Sequence, residues 1–486
     1  MSNSLSKNIL SYGLGNILYA LVVLLLVPIY LEKLDVDNYA KLTLFLISTN
    51  LIRMIFSFSV SNGILRGFYD FKTFNEKKSL YSSAVFLIML LFIFAMIVGI
   101  SFQVSLSALM FNDRMATPYI PLIVFVSFMQ IVNAANQGLL RALKRVIPYT
   151  LTSIINVLTM ALLNIYIIYF TEYTLYSIFL SYVVSNTLAA VVSSSFLIKY
   201  YTIKVRVNNF KYLLNYGLPL SIATLILYFL NYGNRYYLVH YSTITNVAII
   251  DVAQKLASII GILLTSAFMT AFTPYYLELY NKVPYRIFRE KINDIIVTFS
   301  TLFLFAGLVI VLAQDIFLSL LSKSEYLSSS EYVPFIILSN YLYVLFMMLT
   351  LGTNIKKKTK IEMLITVIIF PVNILINIYS IKSYGLYGAV ITQMTTNILS
   401  LLLISLYNRK YFPLEIAYKS IFWLISVFSI LSFIKMSFNS TVYYQGSQYF
   451  QYAISVLLLT IYVLIYRKKF MFMREVVRGL LGRTRK

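Results

Sequence analysis

Apolar runs of roughly 20 residues, separated by short polar segments, recur along the whole chain. As a helix, about 20 apolar residues cross the hydrocarbon core of a bilayer. The pattern predicts fourteen such spans: 8–31, 41–64, 81–102, 119–140, 149–170, 175–198, 212–235, 247–271, 292–313, 334–355, 361–380, 387–407, 420–435 and 449–466. The thirteenth is the shortest. The polar segments between them are too short to build a soluble core. The pattern therefore predicts an all-α integral membrane protein, with any chemistry inside or at the edge of the bilayer.

Span 1 begins Leu10-Ser11-Tyr12-Gly13-Leu14, and span 7 begins Leu214-Asn215-Tyr216-Gly217-Leu218. Both start on the same side, so the repeat is parallel, as in transporters built from two six-helix lobes. Chance similarity in a biased composition is the alternative. The organisation expected is an N-terminal lobe over 1–205 and a C-terminal lobe over 206–407. Two additional spans in 408–466 and a tail over 467–486 follow. In the tail, Met473, Val476, Val477, Leu480 and Leu481 make one face of a basic amphipathic helix suited to an anionic inner leaflet.

Composition removes most alternatives. The chain has 486 residues, 60% of them apolar and only 12% charged, against about 25% charged in soluble domains. An ordinary soluble enzyme, a disordered protein and a disulfide scaffold are excluded. There is no cysteine and one histidine, His240. Disulfides, thiolate metal sites, cysteine nucleophiles, histidine metal clusters and histidine triads go with them. No metal and no cofactor is expected. There is no GxxxxGK[ST] sequence to power transport with a nucleotide.

The net charge of +23 reads as positive-inside loop charge rather than a nucleic-acid surface. Arg53 and Lys255 fall inside spans. Lys33, Lys41, Arg114, Arg235, Lys323, Lys382 and Lys435 fall in loops on one side. Every other Lys and Arg falls on the side of the N-terminus. Both termini are therefore expected in the cytoplasm. The run from Asn8 to Leu31 is too long for a cleavable signal and reads as the first span.

Charges within spans are functional candidates. Arg53 shares a helical face with Asn50, Ser57 and Ser61, a stripe that suits the wall of a wet cavity. A structural Arg bound to neighbouring carbonyls is the alternative. Span 7 carries a second stripe, Gly217, Ser221, Thr224, Tyr228, Asn231 and Arg235. There the alternative is an Arg snorkelling to headgroups. In span 8, Asp251 and Lys255 are four apart and can pair; protonation of Asp251 would free the lysine, which makes it a coupling candidate. Gln130, Asn133 and Gln137 in span 4, and Asn373 and Asn377 in span 11, read as interhelical packing amides. Pro28, Pro219 and Pro371 interrupt spans 1, 7 and 11. Asp294 lies near the inner end of span 9. Asp35-Val36-Asp37 has the form of a sugar-nucleotide DxD but reads as solvated loop acids. A cavity lined by Arg and Lys suits an anion, and Arg pairs phosphate bidentately.

Several stretches carry a family resemblance. Leu31-Glu32-Lys33-Leu34 and Asp37-Asn38-Tyr39-Ala40, the segment Asn215 to Leu220, Asn234-Arg235, Val247 to Lys255, and Tyr384-Gly385-Leu386-Tyr387-Gly388-Ala389 are similar to stretches of polysaccharide repeat-unit flippases of the MOP superfamily, the Wzx-type O-antigen and capsule exporters. Departures are Ala40 for a common Gly, Asn234 for a common Asp, and Ala248 and Ile250 for Gly and Tyr. The resemblance implies two six-helix bundles in a V around a central cavity, plus two C-terminal helices. It implies inversion of an undecaprenyl-diphosphate-linked oligosaccharide in the bacterial inner membrane. Its partners would be that lipid-linked oligosaccharide, membrane lipids, and a polysaccharide polymerase with its chain-length regulator; no nucleic acid is implied. Arg53, Arg235, Lys255, Asn50 and Asn231 are the expected substrate contacts. Competing readings are a MATE-type drug antiporter, which the cationic interior disfavours, a lipid II flippase, and a membrane polysaccharide polymerase, which would need a larger outer loop.

Overall fold

The computed structural model describes residues 21–172, 174–319, 324–358, 360–441 and 455–466. Among these residues all regular structure is helical. Contacts divide the chain into two compact units, Met1–Ala248 and Ile249–Lys486.

In the first unit, α1 covers residues 21–33. It is followed by α2 (Val36–Ser57), α3 (Val60–Asp70), α4 (Phe74–Ser101), α5 (Gln103–Phe111), α6 (Tyr119–Ala142), α7 (Val146–Phe170), α8 (Leu175–Ser195), α9 (Val207–Tyr232) and α10 (Asn234–Tyr241). The unit boundary falls within α11 (Ile244–Ile260). The second unit holds α12 (Ser266–Lys282), α13 (Tyr285–Ser319), α14 (Val333–Leu349), α15 (Leu351–Ile355), α16 (Lys360–Tyr384), α17 (Leu386–Tyr411) and α18 (Tyr418–Thr441). It ends with α19 (Ser455–Tyr466).

Twelve helices among the described residues are long and apolar enough to cross a membrane. They correspond in order to predicted spans 2 to 13. Of span 1, residues 8–20 lie outside the described residues, as do 449–454 of span 14 and the tail 467–486. Polar side chains begin the helices where the pattern changes. Asp35 caps α2, accepting from the Asn38 N–H at 2.6 Å, and Thr73 caps α4 in a reciprocal pair with Glu76. The Asp35-Val36-Asp37 acids are thus structural: Asp37 accepts from the Thr245 hydroxyl at 3.0 Å.

The polarity of α4 is inverted relative to a helix of a soluble protein. Helix α4 buries Ser79, Ser82, Ser83 and Gly99, and exposes Leu90, Ile93, Phe94 and Ile97. Small polar faces let helices approach closely, and the bulky faces are left for lipid. Amides then bind helix to helix, as expected for spans 4 and 11. Asn136 accepts from the Tyr81 hydroxyl at 2.6 Å and donates to Ser193 at 2.7 Å. Asn133 donates to the Asn186 carbonyl at 3.1 Å, and Gln137 to Ser153 at 3.2 Å. In the second unit Asn373 of α16 donates to Thr396 of α17 at 2.8 Å, and Asn377, on the same helix as Asn373, donates to its side-chain oxygen at 2.9 Å.

Span 13 is longer than predicted. The apolar run stops at Lys435, which the sequence placed in an outer loop. Instead α18 continues past it, and Lys435 is only 2% exposed, paired with Asp315 of α13 at 2.8 Å. The charge ended the apparent span, but a partner on the neighbouring helix neutralises it. Helix α13 likewise runs through Asp315, where an outer loop was expected.

Candidate functional site

Predicted span 2 is two helices. Helix α2 ends at Ser57, and Phe58 and Ser59 both take left-handed backbone conformations, with φ of 41° and 46°. Such values are uncommon for residues other than glycine, so tertiary contacts must hold them. Two glycines supply the room. A Cβ on Gly217 of α9 would stand 1.8 Å from the Phe58 carbonyl oxygen, and one on Gly138 of α6 would stand 2.6 Å from the Ser61 carbonyl oxygen. The Ser59 and Ser221 hydroxyls meet at 3.2 Å.

The break corrects the expected polar stripe. Ser61 lies on α3, beyond the break, and accepts from Arg141 at 3.1 Å. Ser57 terminates α2, its hydroxyl taken by the Ser59 N–H at 3.4 Å. Asn50 stays with Arg53. The Arg53 guanidinium donates to the Asn50 side-chain oxygen at 3.1 Å, while the Asn50 amide donates to the Leu46 carbonyl at 3.0 Å. Arg53 is half-buried, one turn before the break.

Arg235 is not at a lipid-facing rim. It is 0% exposed, which rules out snorkelling. Helix α9 stops at Tyr232, and after Gly233 the chain restarts as α10. That junction turns the guanidinium inward. It donates to the Asn234 side-chain oxygen at 2.7 Å and to the Asn231 carbonyl at 3.1 Å. The Tyr232 ring lies 5.4 Å from its central carbon, a cation–π arrangement. The Asn231 side chain itself donates to the Leu227 carbonyl at 2.7 Å.

Helices α2 and α9 pack together near the two arginines. The Tyr228 hydroxyl donates to the Ile47 carbonyl at 3.1 Å. Tyr236 meets the Ser48 hydroxyl at 2.9 Å, pinning α10 to α2. Thus Arg53, Arg235, Asn50, Asn231, Tyr228 and Tyr236 belong to one packed region of the first unit. Tyr236 had no signal as a site residue in the sequence, whereas Asn234 was marked only through its pairing with Arg235 in the family resemblance. Near the start of α2, Lys41 donates to Asp113, in the segment between α5 and α6, at 2.8 Å. That bond, with the Met115 N–H, holds the Asp113 carboxyl below the usual carboxylate range.

In the second unit Lys255 pairs with Asp251 at 2.9 Å. An acid four residues before a lysine is the favourable order on a helix. The pair offers no net charge while Asp251 is ionised. Just beyond it, Gly261–Thr265 form one π-helical turn, a feature frequent at functional sites.

Helices of membrane-crossing length and an arginine-bearing interior define an all-α, multi-pass membrane protein of the transporter type. The family model described as polysaccharide biosynthesis protein matches residues 5–280, more than half of the chain, and the chain belongs to that family. The MatE family model matches residues 219–379, which places the protein in the MOP superfamily. A search of curated proteins returned no match.

Solved structures show the same fold. One titled lipid II flippase MurJ, inward closed conformation, has a TM-score of 0.76 at 13% identity, over 94% of this chain and 99% of that one. A multidrug resistance MATE family transporter in an inward-facing conformation has a TM-score of 0.62 at 14% identity, over 81% and 99%. A MOP superfamily transporter from Pyrococcus furiosus has a TM-score of 0.58 at 16% identity, over 82% and 95%.

Proposed function

We propose that the protein flips an undecaprenyl-diphosphate-linked oligosaccharide repeat unit from the cytoplasmic to the outer leaflet of the bacterial inner membrane, for O-antigen or capsule polysaccharide. The observation that carries this reading is an arginine inside a membrane helix, Arg53 on Asn50 of α2, in the region where Tyr228 and Tyr236 tie α9 and α10 to α2. The half-buried Arg53 guanidinium, flanked by neutral amide and phenol groups, suits a diphosphate, because Arg binds phosphate oxygens in a planar fork. Arg235, fully buried, adds positive charge from behind, and a drug cation would be repelled. Family membership favours a polysaccharide precursor over other anionic lipids.

Alternating access is coupled to an ion in this reading. Asp251 is the coupling group: protonating it dissolves its pair with Lys255. Both termini are cytoplasmic, and the polymerase and chain-length regulator act on the flipped product.

Deletion tests the proposal. In a strain without a redundant flippase, surface polysaccharide is lost and the lipid-linked unit accumulates on the inner leaflet. Unchanged surface polymer refutes it. The lipid II reading rests on the MurJ-like fold; rescue of a strain depleted of its lipid II flippase would favour that reading instead.

A further inference from the structure

We propose that Lys356, Lys358 and Lys410, gathered on the Tyr411–Phe412 end of α17, form a binding site for the phosphate headgroup of an anionic phospholipid. This inference goes beyond the transport reading and does not use the arginine region.

The site is built by a tight helix junction. Gly352 of α15 lies so close to α17 that a Cβ there would stand 2.3 Å from the Asn408 side-chain oxygen and 3.2 Å from the Phe412 ring. Asn408 in turn donates to the Leu349 carbonyl at 2.8 Å. After α15 the chain reverses through Lys357, whose φ is 57°. The Lys358 N–H reaches back to the Thr353 carbonyl at 2.8 Å. The reversal aims the lysine run at the aromatic pair. The ammonium groups of Lys358 and Lys410 lie 5.5 and 5.2 Å from the centre of the Tyr411 ring, and that of Lys356 lies 5.9 Å from the Phe412 ring.

Two ammonium groups over one ring repel each other, and a ring face does not neutralise them. Among the described residues no carboxylate pairs with any of the three lysines. The acids closest in the chain are otherwise engaged. Glu415 pairs with Arg289 at 2.7 Å, and Glu362 accepts from the Thr353 hydroxyl. An anion is what this arrangement lacks, and phosphate oxygens accept charge-assisted hydrogen bonds from several lysines at once.

The setting selects a lipid as the source of that phosphate. Tyr411, Tyr418, Phe422 and Trp423 are all exposed, and Trp423, at 61%, is the one tryptophan of the chain. Exposed Tyr and Trp at helix ends mark the headgroup level of a bilayer. Juxtamembrane lysines at that level attract anionic lipids.

The test uses full-length protein in detergent, titrated with phosphatidylglycerol or phosphatidylcholine and read by native mass spectrometry. Wild type should retain phosphatidylglycerol preferentially. K358Q/K410Q should weaken that retention about tenfold or more, the scale expected when two headgroup lysines are lost. K358R/K410R should keep it, which separates the charge from any folding defect. K72Q/K144Q removes the same charge from loops of the first unit and should leave retention unchanged. Equal losses in the two glutamine pairs would overturn the site in favour of diffuse surface charge. Displacement of the lipid by millimolar inorganic phosphate would overturn the lipid as its ligand.

Discussion

Arg53 sits in a helix of the membrane interior, where an arginine costs about 2.5–3.5 kcal/mol on insertion scales. Its neighbour Asn50 supplies a hydrogen bond at 3.1 Å. We expect Arg53→Ala to abolish export of the lipid-linked unit while protein level and topology stay normal. Arg53→Lys should keep part of the activity, since the charge remains and the fork is lost. Arg53→Glu should be at least as severe as alanine. Surface-polymer staining with immunoblots of the membrane fraction reads all three; normal export by the alanine variant would leave Arg53 a structural residue. At this scale the sequence was informative where residues are rare. Arg53, Arg235 and Lys255 stand out as charges in apolar runs. Tyr236 does not, in a chain with 42 tyrosines, because its role comes only from the fold that sets it on Ser48.

The element scale shows where sequence patterns stop being readable. No glycine or proline marks the break at Phe58–Ser59 within span 2. The break exists because α6 and α9 grip it, and that is tertiary information. Gly217→Ala places a methyl against the Phe58 carbonyl, and overpacking of this kind costs about 1–3 kcal/mol. We expect a lowered melting temperature of the purified protein and reduced export. Gly261→Ala is the control: nothing lies within 4 Å of its Cβ, so stability should hold. An unaltered melting temperature in Gly217→Ala would show that α9 shifts freely. Lys435 misled the prediction for the opposite reason, since a charge looked like the end of a span. Lys435→Ala should lower the thermal stability of the second unit, because its ion pair with Asp315 is lost. Lys435→Met with Asp315→Leu should recover most of that, as read by thermal unfolding.

For the whole molecule, hydropathy and charge made the membrane class and the order of spans 2 to 13 legible. Bilayer thickness sets span length, and translocation sets the lysine and arginine bias. Neither rule encodes which helices pack together, so the division at Ala248 and Ile249 could not be read from them. Helix α9, predicted to open the second lobe, packs on α2, α3 and α4 within the first unit. Reporter fusions measure the orientation directly. Reporter fusions after residues 110, 325 and 442 should read as external, and fusions after 205, 358 and 486 as cytoplasmic. A fusion after 486 that reads as external would remove the fourteen-span count.

The meeting of Ser59 and Ser221 at 3.2 Å has a practical consequence, because the chain has no cysteine of its own. Replacing both serines by cysteine creates one thiol pair and no competing one. Mild oxidation should join α9 to the joint between α2 and α3 by a covalent bond of about 2.05 Å, and a thiol reductant should undo it. Alternating access that draws α9 away from this joint would stall in the oxidised protein and resume on reduction. Transport indifferent to the bond would show that α9 and the broken helix travel together as one rigid piece throughout the cycle.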